Sequence, residues 1–172
     1  IGPVLDVVIQ TPPLMDDDDA AEGLAVRGLR KVRVHAADLD ALASQAHAHG
    51  VATVIDASQA AGWLPLAAHR FDVVVTSAYK WLTAPRGITL TAVSPGARWL
   101  RPVHANWYAA TDAWTHLYGD ELELAGTARR FDTSPPWPLV AAAAEALELM
   151  ASVPVHVAHA HAAGLANQFR AA

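Results

Sequence analysis

Residues 54–87 read VIDASQAAGWLPLAAHRFDVVVTSAYKWLTAPRG, and two polar residues within them decide how the chain is understood. Asp56 closes an apolar, β-branched run, and Lys80 stands just beyond a second one, FDVVVT. Short apolar runs bounded by turn residues are buried strands, and an open α/β sheet binds its ligands in the crevice beyond the carboxyl ends of such strands. Asp56 and Lys80 are thereby expected at one edge, either as an ion pair or as two members of one chemical site.

Working outward, strands are expected at 51–55, 71–76 and 88–93, with a turn and a short helical stretch around SQAAG. Upstream, VLDVVIQ and KVRV look like strands. AADLDALASQAHAHG looks like a helix with Leu39, Leu42 and Ala46 on one face and Gly50 as its stop. Downstream, PPWPLVAAAAEALELMAS is a proline-started helix, and VPVHVAHAHAAGLANQFRAA begins another. Strands alternating with helices in this way predict an α/β fold, a mainly parallel sheet with helices on both faces.

The remaining composition narrows the function. The chain has 172 residues, enough for one core, and a single domain is expected over 1–172. A net charge of -5 without a lysine or arginine cluster argues against a nucleic-acid partner. There is no cysteine, hence no disulfide and no thiolate nucleophile or metal ligand. The first residues lack a basic region followed by a sustained apolar one, and Glu145 and Glu148 interrupt the longest apolar run, so a cytoplasmic protein with no membrane partner is expected. Four adjacent aspartates, Asp16 to Asp19, repel one another and predict an exposed loop; they lack the alternating ligands and turn glycine of a calcium loop. The histidines of HVAHAH give no third ligand to His156 and His159 and are expected on a helix surface, so no metal is expected.

An aspartate and a lysine at one strand edge have a specific use in pyridoxal phosphate chemistry. The lysine amine forms a Schiff base with the cofactor aldehyde, while a carboxylate keeps the pyridine nitrogen protonated and the ring an electron sink. Such a lysine reacts as the neutral amine, which partial burial beside a cationic ring favours.

The stretch also resembles the cofactor-binding core of class V aminotransferase-fold enzymes, which include cysteine desulfurases, kynureninases and carbon–sulfur lyases. The ordered matches are Asp56, Gln59, Gly62, Asp72, Ser77, Lys80, Pro85 and Gly87. The resemblance implies that Asp56 pairs with the pyridine nitrogen, Gln59 bonds the phenolic oxygen, Ser77 and Tyr79 hold the phosphate, and Lys80 anchors the cofactor and acts as catalytic base. RPVHANWYAATDAW and ARRFDTSPPWP are similar to segments that reach across a homodimer interface in this family. That likeness implies cofactor contacts for Trp107 and Ser134 in the second subunit, and a substrate-binding role for Arg130. From about residue 35 the chain is most similar to the carbon–sulfur lyases of bacterial ergothioneine biosynthesis. β-Elimination from a cysteine S-conjugate or its sulfoxide, an amino-acid substrate, is the implied reaction, with pyruvate and ammonia released. Cysteine desulfurase, class V aminotransferase and a non-catalytic α/β module are the alternatives. The family's upstream phosphate loop, its ring-stacking aromatic and its small C-terminal domain find no match here. The chain is therefore expected to be part of the large domain of a fold-type I enzyme.

Overall fold

The computed structural model describes residues 4–10, 29–35, 39–118 and 121–172. The aspartate run Asp16 to Asp19 lies outside the described residues. Five strands form one sheet in the order β2-β1-β3-β4-β5, with β1 Val4–Gln10, β2 Leu29–His35, β3 Ala52–Asp56, β4 Val73–Ser77 and β5 Thr89–Val93. Helix α1 spans Leu39–Ala48, α2 Trp137–Ser152 and α3 Val155–Ala171.

The sheet is mixed, which corrects the expectation of mainly parallel strands. Among the described residues β3 and β4 are the parallel pair, whereas β1 runs antiparallel to both β2 and β3, and β5 antiparallel to β4. The connections supply the reason. Residues 57–72 are long enough to carry a crossover, so β4 re-enters beside β3 in the same direction. Residues 78–88 hold a turn instead of a helix and reverse at Thr83 and Gly87, whose φ angles are 57° and 98°, so β5 returns antiparallel.

Among the described residues, helices covering both faces are not found either. α1 covers the face carrying Ile55 and Val74, burying Leu39 and Ala43 against them together with Leu64 and Phe71. It ends as Gly50 predicts: the Val51 N–H donates to the Ala46 carbonyl at 2.9 Å and the Gly50 N–H to the His47 carbonyl at 3.1 Å, with Gly50 at φ 63°. α2 packs instead beside the carboxyl end of β4, with Ala143 against Ala78 and Ala84. β5 is exposed over most of its length. Among the described residues no single helix is long and apolar enough to cross a membrane, and α2 and α3 are bent by 81° at their junction.

At the amino ends of β3 and β4 a polar clasp sets the register. The Asp72 carboxylate accepts from the Thr53 N–H at 2.8 Å and the Thr53 hydroxyl at 3.0 Å, and that hydroxyl accepts from the Asp72 N–H at 3.0 Å. Thr53 is 3% exposed, and the isosteric change Thr53→Val removes one of the two bonds to the Asp72 carboxylate and leaves the part-buried Asp72 N–H without its partner. It is expected to lower stability by about 1–3 kcal/mol, read as a shift of the urea midpoint at constant slope.

Candidate active site

Because β3 and β4 run parallel, Asp56 and Ser77 finish at the same edge. The ladder continues one residue further, the Ala57 N–H donating to the Val75 carbonyl at 2.8 Å. Asp56 is exposed, and its Oδ1 accepts from the Ser58 N–H at 2.9 Å. The Ser58 Oγ in turn accepts from the Ser77 N–H at 2.9 Å. Ser58 thus ties the two strand ends together, a role that the sequence reading passed over. Its signal was the Asp-x-Ser spacing, which favours a side chain bonding the backbone two residues on.

Lys80 sits in a turn closed on itself. The Ala78 N–H donates to the Ile88 carbonyl at 2.9 Å, Thr83 to Lys80 at 3.0 Å and Ala84 to Ala78 at 3.0 Å. Ala78 is fully buried, while Thr83 takes the left-handed backbone region that a β-branched residue seldom adopts. The strain lies three residues from the lysine, and the bonds around it hold it in place.

The Lys80 side chain is half-buried and lines a shallow pocket of about 340 Å³ with Gln59, Trp81 and Thr83. Its Nζ lies 5.0 Å from the centre of the Tyr79 ring, and the Arg86 guanidinium lies 4.2 Å from the same ring. Among the described residues Lys80 forms no ion pair. Asp72 is engaged by Thr53 at the opposite edge, and Asp56 is held by Ser58. Of the two readings open for Asp56 and Lys80, a structural ion pair is the one that the geometry does not form.

Trp107, Arg130 and Ser134 do not line the Lys80 pocket. Trp107 belongs to an aromatic cluster, edge-on to Tyr108 at 4.8 Å and tilted against Trp114 at 5.8 Å, with Tyr108 reaching Trp137 at 5.9 Å. Arg130 donates from Nη2 to the Leu100 carbonyl at 3.2 Å and lines a cavity of about 290 Å³ with Ser94 and Arg98. Val93 pairs with Val73, so this cavity lies at the amino end of β4, the edge opposite Lys80. Ser134 is exposed, between Thr133 and Pro135, which line a groove of about 650 Å³ along β5.

His156 and His161 are exposed, as expected of a histidine-bearing helix surface, and His159 is the exception. Its ring stacks on Trp63 at 5.7 Å and 21°, with Nδ1 buried and unpartnered among the described residues. Among the described residues no three histidine, aspartate or glutamate side chains converge as a metal site would need.

An aspartate and a lysine without an ion pair among the described residues, at the carboxyl ends of adjacent parallel strands, mark a ligand crevice of the α/β class. Residues 30–172 match the aminotransferase class-V family, and the chain belongs to it. A 69-residue stretch is 36% identical to isopenicillin N epimerase of Streptomyces clavuligerus, covering 38% of this chain and 17% of that enzyme. Enzymes of this family use pyridoxal phosphate. The donor set at this edge fits such a group: an amine without an ion pair among the described residues, a carboxylate at the end of the adjacent strand, and Ser77 as the last residue of β4.

Proposed function

We propose that this chain is the partial large domain, over 1–172, of a pyridoxal phosphate-dependent carbon–sulfur lyase that acts on a cysteine S-conjugate or its sulfoxide, as a cytoplasmic homodimer. The observation that carries the reading is Lys80, a half-buried amine with no ion pair among the described residues, held in a bonded turn beside Asp56.

When bound, the cofactor supplies an electron sink that makes the substrate α-proton removable. Lys80 would anchor it through Nζ and, once the substrate amine has displaced that amine, Nζ would take up the proton. Asp56, its Oδ1 fixed by the Ser58 amide, holds a proton on the ring nitrogen. Gln59 donates to the phenolic oxygen, and Ser77 and Tyr79 bind the phosphate. Trp107 and Ser134 serve the second subunit's cofactor, and Arg130 binds the substrate carboxylate there. The place of Arg130 at the sheet edge opposite Lys80 within one chain supports a site shared between subunits.

Loss of the β-substituent as a thiol, or as a sulfenic acid from the sulfoxide, distinguishes a lyase from a desulfurase, in which a cysteine attacks the sulfur; this chain carries no cysteine. A second reading comes from the match to an epimerase: on this chain it would mean that a proton taken from the α-carbon returns to the opposite face. Incubating the cofactor-loaded protein with a cysteine S-conjugate in deuterium oxide separates the two. The lyase is expected to release pyruvate, ammonia and thiol in equal amounts. Recovery of intact substrate with deuterium at the α-carbon and inverted configuration would replace it by the epimerase reading. Neither product, together with no cofactor adduct on Lys80, would leave a binding module.

A further inference from the structure

The Lys80 turn is gripped from two sides. On one, α2 presses Ala143 against Ala78 and Ala84, and Leu139 approaches Gly87 so closely that a Cβ there would lie 3.1 Å from it. On the other, three rings run in series from α3 to the pocket wall. His159 stacks on Trp63, and Trp63 packs against Trp81 with ring centres 5.4 Å apart. Trp81 follows Lys80 directly and lines the same pocket.

Trp63 is itself fixed from behind. Its indole N–H donates to the Gln59 carbonyl at 2.7 Å, which ties it to the strand-β3 side of that pocket. The preceding residue, Gly62, has φ 100°, and a Cβ there would lie 3.3 Å from the Trp81 backbone. Backbone meets backbone at this point only because no side chain intervenes. The 57–63 turn and the Lys80 turn are therefore packed directly against each other, and His159 is a group by which α3 bears on them.

We infer that His159 is a positioning residue for Lys80, acting through the stacked rings of Trp63 and Trp81 to fix the turn that presents the amine to its pocket. The inference rests on the proposed role of Lys80 and adds the element that holds it. No proton transfer is required of the imidazole: among the described residues its Nδ1 has no partner, so it acts through its ring face. The flat face is thus the property that matters, and phenylalanine can supply it where alanine cannot.

The test compares the full chain with His159→Ala and His159→Phe by amide hydrogen exchange without cofactor, and by borohydride trapping with pyridoxal phosphate. Loss of the ring is expected to speed exchange in residues 78–84 of His159→Ala by roughly two- to tenfold, with β3 unchanged. His159→Phe is expected to restore wild-type protection. In the trapping experiment Lys31, the chain's other lysine, serves as internal reference, and the Lys80 to Lys31 ratio is expected to fall in His159→Ala and recover in His159→Phe. Unchanged exchange in His159→Ala, an equal rise across β3 and β4, or failure of phenylalanine to restore protection would overturn the inference. Equal labelling of both lysines in the wild type would instead defeat the proposed role of Lys80, while the exchange data still judged the stack.

Discussion

Lys80→Ala is expected to abolish the cofactor adduct and to reduce turnover by about 10²–10⁴-fold, the usual cost of losing a positioned general base. The fold is expected to survive, because the side chain is half-buried and makes neither an ion pair nor a hydrogen bond among the described residues. Stability should change by less than about 0.5 kcal/mol. The measurement is peptide mapping after borohydride reduction, with Lys31 as the control site. A single adduct in the wild type that is missing from the variant supports the anchor role, and partial recovery of turnover with added ethylamine would show that an amine is what was lost. Persistence of the adduct elsewhere in the variant would remove Lys80 from the mechanism. The turn explains why the effect is local: Ala78, Thr83 and Ala84 close it through backbone bonds that an alanine at position 80 leaves intact.

The largest stability effect is expected at Ile55. It is 0% exposed, and among the described residues it is the large side chain that is fully buried, packed beneath α1 with Val74, Leu64 and Phe71. Ile55→Ala removes three carbons from a site that α1 and the 57–64 turn enclose from separate directions, so collapse around the cavity is limited. A loss of about 2–5 kcal/mol is expected, measured by urea unfolding at constant slope. A loss below about 1 kcal/mol would mean that the site relaxes, and would make α1 an adjustable cover rather than a fixed one. The neighbouring residue is Asp56, so cofactor binding in this variant also reports how far the strand end depends on the core beneath it.

Much of the site was legible because local chemistry writes it into short stretches. A polar residue that interrupts a β-branched run must leave the core, and two runs leaving in the same direction put Asp56 and Ser77 at one edge. Gln59 and Lys80 follow those ends closely and line one pocket for the same reason. The direction of β5 was not legible. An apolar run reads the same in either direction, and only the turn at Thr83 and Gly87 decides which way the chain returns. Nor did HVAHAH disclose that His159 would meet Trp63, since nothing in a helix's own sequence says which distant ring will lie against it.

By itself the sequence determined the strands around Asp56 and Lys80, the glycine stop of α1, the proline start of α2, and the ordered set of residues by which the chain resembles its family. These rest on apolar periodicity, caps and spacing, which act over a few residues. Only the tertiary structure decided that the sheet is mixed, that Asp72 binds Thr53 and leaves Lys80 alone, that Ser58 joins the strand ends, and that Arg130 lies at the far edge. Those outcomes depend on which groups distant in the chain compete for the same partner. A carboxylate that finds a buried N–H and hydroxyl at 2.8 and 3.0 Å has no need of an amine at the other end of the strand.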